Sequence, residues 1–189
     1  MDLRLILVSL ALFTAAPASA APTLPAAAAA CAECHGSNGV AATPGTPHIN
    51  GQLQTYLTDT MEAFKSASRP TEVAQHTSIA LTEKDLAATA KFYAAQKKAQ
   101  RPAQVTDPTR VSAATKVYQQ RCEKCHVDSG RDSDHDAPLI AGQALDYLLQ
   151  QTSAYISGKR KFPFMMDDAY RGLSQEDLLS VSHYFAAQR

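Results

Sequence analysis

The sequence predicts an all-α protein made of two tandem helical domains. The main observation is an internal repeat: moving 91 positions takes Cys31 to Cys122, and moving 92 positions takes Leu81 to Leu173. A second observation is the spacing of apolar residues, which recur at i, i+3 and i+4 within each copy, as on amphipathic helices. No stretch shows convincing strand alternation. Two copies of a small helical unit therefore account for the chain.

Each copy is predicted to contain three helices. The first carries a cysteine motif at its C-terminal end and, in the second copy, starts near Ser112. The third opens with Thr82 or Ser174 as N-cap, has acids in its first turn, and runs to Gln96 or Gln188. The second helix is predicted from its stripe of apolar residues. Two neighbouring aromatic residues of the third helix are expected to pack against the first helix. These stripes and pairs are Leu53, Tyr56, Leu57, Thr60, Met61 and Phe64 in the first copy, Leu145, Leu148, Leu149, Thr152, Tyr155 and Ile156 in the second, and Phe92-Tyr93 and Tyr184-Phe185.

The chain starts like an exported precursor. Arg4 precedes an apolar run from Leu5 to Ala16, and Ala18-Ser19-Ala20 offers a small-x-small cleavage site. An uncleaved membrane tether is the alternative, although the run is too short to span a bilayer. We therefore predict a cleaved signal peptide and a periplasmic protein. The predicted segments are a signal peptide at 1–20, domain 1 at 21–100, a linker at 101–111 and domain 2 at 112–189.

Charge and composition narrow the possible functions. The 18 Lys and Arg equal the 18 Asp and Glu, so no basic field indicates nucleic-acid binding. There is no Trp, and the chain has only six Phe and seven Tyr. Two domains of roughly eighty residues with so few large apolar side chains can bury only a small core. Domains of this kind usually need a covalent link or a bound cofactor to stabilise the fold.

The four cysteines fall in two copies of one motif, Cys31-Ala32-Glu33-Cys34-His35 and Cys122-Glu123-Lys124-Cys125-His126. Cys-x-x-Cys-His is the attachment sequence of haem c: two thiols three positions apart reach both vinyl groups, and the histidine binds the iron axially. Two disulfides, a thioredoxin-like redox pair and a zinc site are the alternatives, but none explains why a histidine follows directly in both copies. The sequence therefore predicts two covalently attached haem c groups with their iron, held by Cys31, Cys34 and His35 in domain 1 and by Cys122, Cys125 and His126 in domain 2.

The second axial ligand decides whether a haem binds small molecules or transfers electrons. In domain 2, Met165 and Met166 lie between the second and third helices. We favour Met166 as the partner of the motif histidine, with Met165 as the alternative. The equivalent segment of domain 1, 68–80, contains no methionine but does contain His76, which predicts bis-histidine coordination. An open iron or ligation by Lys65 is the alternative there. Since a thioether favours Fe(II), haem 1 is expected to have the lower potential.

The remaining histidines are not expected to bind iron. His48 lies in a loop, His183 lies within the last helix, and His135 sits among aspartates. That acidic loop lacks the spacing of a calcium site and is interpreted as a solvated segment.

Further short motifs carry a family resemblance. They are Cys-x-x-Cys-His-Gly in domain 1, Pro47-x-x-x-Gly51-Gln52, Pro138-x-x-x-Gly142-Gln143, Gly158-Lys159-Arg160, and the Leu-Thr/Ser-x-x-Asp-Leu start of each last helix. On these motifs the chain resembles the tandem dihaem cytochromes c, which include cytochrome c4 and the dihaem subunit of flavocytochrome c sulfide dehydrogenase. Domain 1 departs from that family in lacking its methionine, and domain 2 has Val127 after the motif instead of glycine.

The resemblance implies two class I cytochrome c domains related by a pseudo-twofold axis, with the haems facing one another across the domain interface. It also implies that the carbonyl oxygens of Pro47 and Pro138 accept hydrogen bonds from the axial His35 and His126 and fix the orientation of the rings.

The leading functional hypothesis is a dihaem electron carrier or electron-transfer subunit. It would pass single electrons between a respiratory or dehydrogenase donor and an acceptor such as a terminal oxidase, through small, transient contacts with redox proteins or a membrane complex. The alternative is a dihaem enzyme or sensor with an open site at haem 1, of the peroxidase or thiosulfate dehydrogenase type. Dihaem thiosulfate dehydrogenases use an additional cysteine on one iron, and here no cysteine is spare. The sequence leaves the oligomeric state open.

Overall fold

The computed structural model describes residues 23–96 and 101–188, apart from the side chain of Phe164. The predicted signal peptide, 1–20, lies outside the described residues. Within the described ranges the chain forms helices, turns and loops without a strand, which confirms the all-α class. None of the helices in these ranges is long and apolar enough to cross a membrane.

Apart from a turn-like helix of the second unit, in which Asp128 and Ser129 have left-handed backbone angles, the helices of the two units follow one another in the same order. A 3-10 turn, Ala26–Ala28, precedes the first helix, and a π-helical turn, Tyr118–Cys122, follows the first helix of the second unit. The first unit contains α1 (Ala29–His35), α2 (Gln54–Lys65), α3 (Ala74–Ser78) and α4 (Glu83–Ala94), and the second contains α5 (Pro108–Val117), α6 (Val127–Gly130), α7 (Leu145–Ile156), α8 (Phe164–Tyr170) and α9 (Gln175–Ala187).

The last helix of each unit starts at a capping box. In α4 the Thr82 hydroxyl accepts a hydrogen bond from the Asp85 N–H, and the Asp85 carboxylate accepts one from the Thr82 N–H. Ser174 and Asp177 repeat the arrangement in α9. Each box satisfies N–H groups that a helix start leaves without partners, and the acid suits the positive end of the helix dipole. The predicted N-caps of both helices are confirmed.

Two predictions about the helices were wrong. The first helix of domain 2 begins at Pro108 instead of near Ser112, so part of the predicted linker 101–111 is helical. The reason is a cap that the apolar pattern does not reveal. The Asp107 carboxylate accepts hydrogen bonds from two backbone N–H groups, and Pro108 takes the first helical position, where its missing N–H costs nothing. The short helices α3 and α8 also replace segments that were expected to be loops.

The core of each unit forms where the last helix meets the start of the unit. Two consecutive aromatic residues of the last helix join a buried cluster there, as predicted, and the first cysteine of the motif packs into or against it. Burying one such ring contributes roughly 1.5–3 kcal/mol. The clusters contain Ala28, Phe92 and Tyr93 with Cys31 at the edge in domain 1, and Ala114, Tyr118, Cys122, Val181, Tyr184 and Phe185 in domain 2.

Candidate haem sites

Within the described ranges the four motif cysteines form no disulfide. Cys34 is exposed, Cys31 and Cys125 are half-buried, and Cys122 is buried. Burial raises the pKa of Cys31 and raises the pKa of Cys122 to about 12. A thiolate is the form that attacks a disulfide, so the raised pKa values of these two thiols count against the thioredoxin-like alternative. A thioether sulfur is neutral and suits the same apolar surroundings.

The histidine of each motif is oriented by a backbone carbonyl group. His35 Nδ1 lies 2.9 Å from the Pro47 carbonyl oxygen, and His126 Nδ1 lies 3.1 Å from that of Pro138. Since a carbonyl oxygen only accepts, Nδ1–H donates in both contacts and the Nε2 lone pair is left for a metal. Burial lowers the pKa of both rings, and the neutral imidazole is the form that binds a metal.

The chain leaves the two motifs by different turns. Gly36 ends α1 at φ 79°, a conformation that side chains rarely adopt. After the second motif stands Val127, and the left-handed conformation moves to the next two residues, at φ 47° and 57°. The Tyr118 hydroxyl holds this turn, since it donates to the His126 carbonyl oxygen and accepts from the Ser129 N–H. The second motif is therefore followed by a turn of two left-handed residues that the Tyr118 hydroxyl stabilises.

His76, on α3, lies opposite His35. The centroids of the two imidazole rings are 6.2 Å apart, with their planes 20° from parallel. Two contacts hold the His76 ring: Phe64 stacks on it with centroids 4.6 Å apart, and Thr71 Oγ1 lies 3.2 Å from Nδ1. Burial, together with His35 and Arg69, lowers the pKa of His76, so this ring is neutral as well.

The gap between these two rings fits one metal atom. A bond between a metal and an imidazole nitrogen is about 2 Å long. Two such bonds, together with the distance from the nitrogen to the centroid in each ring, add up to a centroid separation close to the 6.2 Å observed. Because Nδ1 of each ring is engaged by another group, both Nε2 atoms remain for coordination. The donor set of domain 1 therefore fits a haem iron that is bound on both faces.

Met166 occupies the position in domain 2 that His76 occupies in domain 1. Each is the third residue of its short helix, and each N–H donates to the carbonyl oxygen of the residue before that helix. The distance is 3.0 Å from His76 to Val73 and 2.8 Å from Met166 to Pro163. Met166 is half-buried, while Met165 is 47% exposed. Of the two methionines, Met166 is thus the more buried and lies at the helix position of His76.

Two arginines, one from each domain, lie among tyrosines where the domains meet. Arg69 is 9% exposed, and its guanidinium donates to the Tyr147 hydroxyl of the other domain at 2.7 Å. It also donates to the Tyr56 hydroxyl at 3.4 Å. Arg160 lies over the ring of Tyr155, with Cζ 4.6 Å from the centroid. Both arginines affect the nearby Tyr56 phenol. Burial raises the pKa of Tyr56, but the positive charges of Arg69 and Arg160 and the hydrogen bonds to the phenol lower this pKa overall.

Neither guanidinium is paired with a carboxylate in the part of the chain that the structure describes. Arg69 is buried, whereas Arg160 is half-buried. A buried cation is costly without an anion, and haem carries two propionate groups. The arginines are thus a second feature that fits a haem. Sequence reasoning singled out Arg160 within a motif but missed Arg69, although the 91-residue offset connects the two.

His48, predicted to be a loop residue, is buried between the domains. Its side chain is 4% exposed, and Nδ1 accepts a hydrogen bond from the Ala41 N–H at 3.0 Å. Its backbone groups bond to Gln143 of the other domain. Sequence reasoning missed this position, since nothing in a single chain shows which loop faces the second domain.

The other candidate side chains bond away from the iron sites. His183 Nδ1 accepts from the Asp107 N–H, and Lys65 Nζ donates to the Leu81 carbonyl oxygen at 2.9 Å. His135 is exposed. Among the described residues, no group of three or more His, Cys, Asp or Glu is arranged to hold a metal ion.

Comparisons with known proteins agree with this geometry. Cytochrome c4 of Azotobacter vinelandii is 27% identical over 79% of this chain and 80% of that protein. Cytochrome c-554(548) of Halomonas halodenitrificans is 33% identical over 35% of this chain and 83% of that protein. The chain belongs to the c-type cytochromes. No protein-family model matches it.

This cytochrome has the tandem organisation of the c4 type. It is 28% identical to the thiosulfate dehydrogenase electron acceptor of Stutzerimonas stutzeri, over 77% of this chain and 72% of that protein. Its structure matches that of reduced recombinant cytochrome c4 from Pseudomonas stutzeri with a TM-score of 0.72 at 24% identity, over 86% of this chain and 95% of the other. The predicted fold of two class I cytochrome c domains is confirmed, as are the electron-transfer function and the two covalently attached haem c groups with iron.

Proposed function

We propose that this cytochrome is a periplasmic electron carrier in which His35 and His76 bind haem 1, and His126 and Met166 bind haem 2. The observation that carries the proposal is the pair of facing imidazole rings in domain 1. A carrier keeps both faces of its iron occupied by the protein, so that small molecules find no open position. The enzyme or sensor alternative needs that position to be open at haem 1.

The chain's own residues would anchor the cofactors and keep the coordination fixed. When bound, each haem iron alternates between Fe(III) and Fe(II) and so takes up or releases one electron. Cys31 and Cys34, and in domain 2 Cys122 and Cys125, are the thiols placed to form the thioethers. Ligands that are held by second contacts move little between the two oxidation states, which favours fast electron transfer. These second contacts come from Pro47, Pro138, Phe64 and Thr71.

The two iron sites are expected to differ in potential. A thioether ligand favours Fe(II), whereas a second imidazole favours Fe(III). Haem 1, with two histidines, therefore has the lower potential, and a single electron shared by the molecule resides mainly on haem 2. Arg69 and Arg160 supply positive charge between the domains, where they pair with haem propionates in this proposal.

The setting we propose is the periplasm, supported by the signal peptide predicted at 1–20 and by haem c attachment motifs in an exported chain. Electrons arrive from a periplasmic dehydrogenase or a respiratory complex and leave to an acceptor such as a terminal oxidase. A relative that is named as the electron acceptor of a thiosulfate dehydrogenase supports a dehydrogenase as donor. Docking is transient, since redox partners meet through small contacts.

Binding of carbon monoxide to the reduced protein tests this assignment. In this proposal both ferrous irons of the wild-type protein have all six ligands. Carbon monoxide should therefore leave its visible spectrum unchanged. His76→Ala removes one ligand, so one carbon monoxide should bind per chain, at haem 1. His76→Met is the matched control: it restores a second ligand, again excludes carbon monoxide, and raises the potential of haem 1 toward that of haem 2.

Two results contradict the proposal. Carbon monoxide binding to wild-type haem 1 would show an open site and favour the enzyme or sensor alternative. Resistance of the His76→Ala variant to carbon monoxide would show that another side chain is the ligand.

A further inference from the structure

Two glutamines cross the domain interface in a reciprocal arrangement. Gln143 Oε1 accepts from the His48 N–H at 2.7 Å, and Gln143 Nε2 donates to the His48 carbonyl oxygen at 2.9 Å. Gln52 repeats this with Leu139, at 2.9 Å and 3.0 Å. Both glutamine side chains are 4% exposed. Each domain therefore holds both backbone groups of one residue in the other domain.

The residue held in this way is adjacent to the carbonyl that orients the motif histidine. The His48 N–H and the Pro47 carbonyl belong to one peptide group, and that carbonyl accepts from His35. In domain 2 the Leu139 N–H shares its peptide group with the carbonyl that accepts from His126. A peptide group whose N–H donates is polarised and becomes a stronger acceptor at its oxygen. A continuous chain of hydrogen bonds thus runs from each glutamine to the opposite histidine.

Each carboxamide oxygen also accepts a hydrogen bond within its own domain. Gln143 Oε1 also accepts from the Ala144 N–H at 2.9 Å, and Gln52 Oε1 from the Leu53 N–H at 3.0 Å. The linker adds a further contact, since Gln104 Nε2 donates to the Gln143 carbonyl oxygen at 2.9 Å. Little freedom is left for either side chain to lose when the domains dock.

We propose that Gln143 and Gln52 are positioning residues that lower the potential of the haem in the opposite domain. The proposal rests on iron coordination by His35 and His126. A stronger acceptor at the Pro47 or Pro138 carbonyl makes the histidine more basic, and a more basic ligand stabilises Fe(III). Docking of the domains thereby lowers the potentials of both haems. The potential of each haem then depends on a glutamine of the other domain.

The test is a spectroelectrochemical titration of the holoprotein with Gln143→Met and Gln52→Met, which keep the side-chain length but remove the amide. In Gln143→Met we expect the midpoint potential of haem 1 to rise while that of haem 2 changes little. In Gln52→Met we expect the reverse. The expected shift is up to a tenfold change in the ratio of reduced to oxidised haem, or about 59 mV for a one-electron couple. Each variant is the control for the other.

The crossed pattern separates this role from ordinary packing. A shift confined to the haem of the substituted domain, an equal shift of both haems, or no shift in either variant overturns the proposal. If a methionine variant does not yield holoprotein, Gln143→Asn and Gln52→Asn keep the amide but withdraw it by one methylene, and the same crossed shifts are expected. The visible spectra report haem content and axial ligation independently, so a failure of the proposed coordination would be seen separately.

Discussion

His48 is a neutral base buried between the domains, and its titration should be visible in the stability of the protein. Burial lowers the pKa of His48 to about 4, with Arg101 and His35 adding to the effect, from an ordinary value of 6.5. The unfolded chain therefore binds a proton between these values that the folded chain does not bind. The free energy of unfolding is fully present above pH 6.5 and falls as the pH drops toward 4.

The variant His48→Asn isolates this contribution. An asparagine oxygen can still accept from the Ala41 N–H, but it does not titrate. The wild-type protein should lose roughly 3 kcal/mol more than the variant between neutral pH and pH 4. Denaturant unfolding of both holoproteins across this range measures the difference. Parallel stability curves would show that His48 is protonated at no cost in the folded protein.

At the scale of single residues, sequence reasoning reaches the groups whose chemistry is local. Both Cys-x-x-Cys-His motifs could be read directly, because the thiols and the histidine act within one turn. His76 follows by comparison of the two copies, since domain 1 has no methionine in the segment where domain 2 has two. Arg69 and Gln143 were missed as functional residues. Their roles depend on contacts with the other domain, and neither the motifs nor the repeat offset shows which residues they contact there.

The short helices α3 and α8 carry the two residues that we propose as second haem ligands. Sequence analysis expected loops there because neither segment is long enough for an amphipathic stripe to appear. In both helices the third residue is the proposed ligand, and its N–H is bonded to the residue before the helix. The helix start therefore gives the two proposed ligands the same position within their helices. The long helices α4 and α9 were easier to predict, since a Thr or Ser cap followed by acids is a local signal.

Substituting the two methionines of α8 one at a time tests this placement. Met166→Leu should leave haem 2 without its second ligand, so that the reduced protein binds one carbon monoxide there. Met165→Leu is the matched control and should change neither the spectrum nor the potential, because that side chain is 47% exposed. Met166→His should keep six ligands and lower the potential of haem 2 by a tenfold change in the redox ratio or more, at least about 59 mV. The opposite pattern in the two leucine variants would assign the ligand to Met165.

On the scale of the whole molecule, the duplicated fold carries two haem c groups. The repeat, the motifs and the capping boxes made the tandem helical architecture predictable, because each is written twice in the chain. The docking of the domains was not predictable in detail. It depends on side chains such as Gln52 and Gln143, whose polar groups find partners only once both domains are folded. The same interface brings Arg69 to Tyr147 and buries His48.

The central claim is that one chain carries a bis-histidine haem and a histidine/methionine haem. The most direct measurement is the visible and near-infrared spectrum of the oxidised, purified protein, which counts the haems and separates the two ligation types. We expect two low-spin haems per chain, with one set of bands for each type. Bands of a single ligation type for both haems, or a high-spin haem, would contradict it.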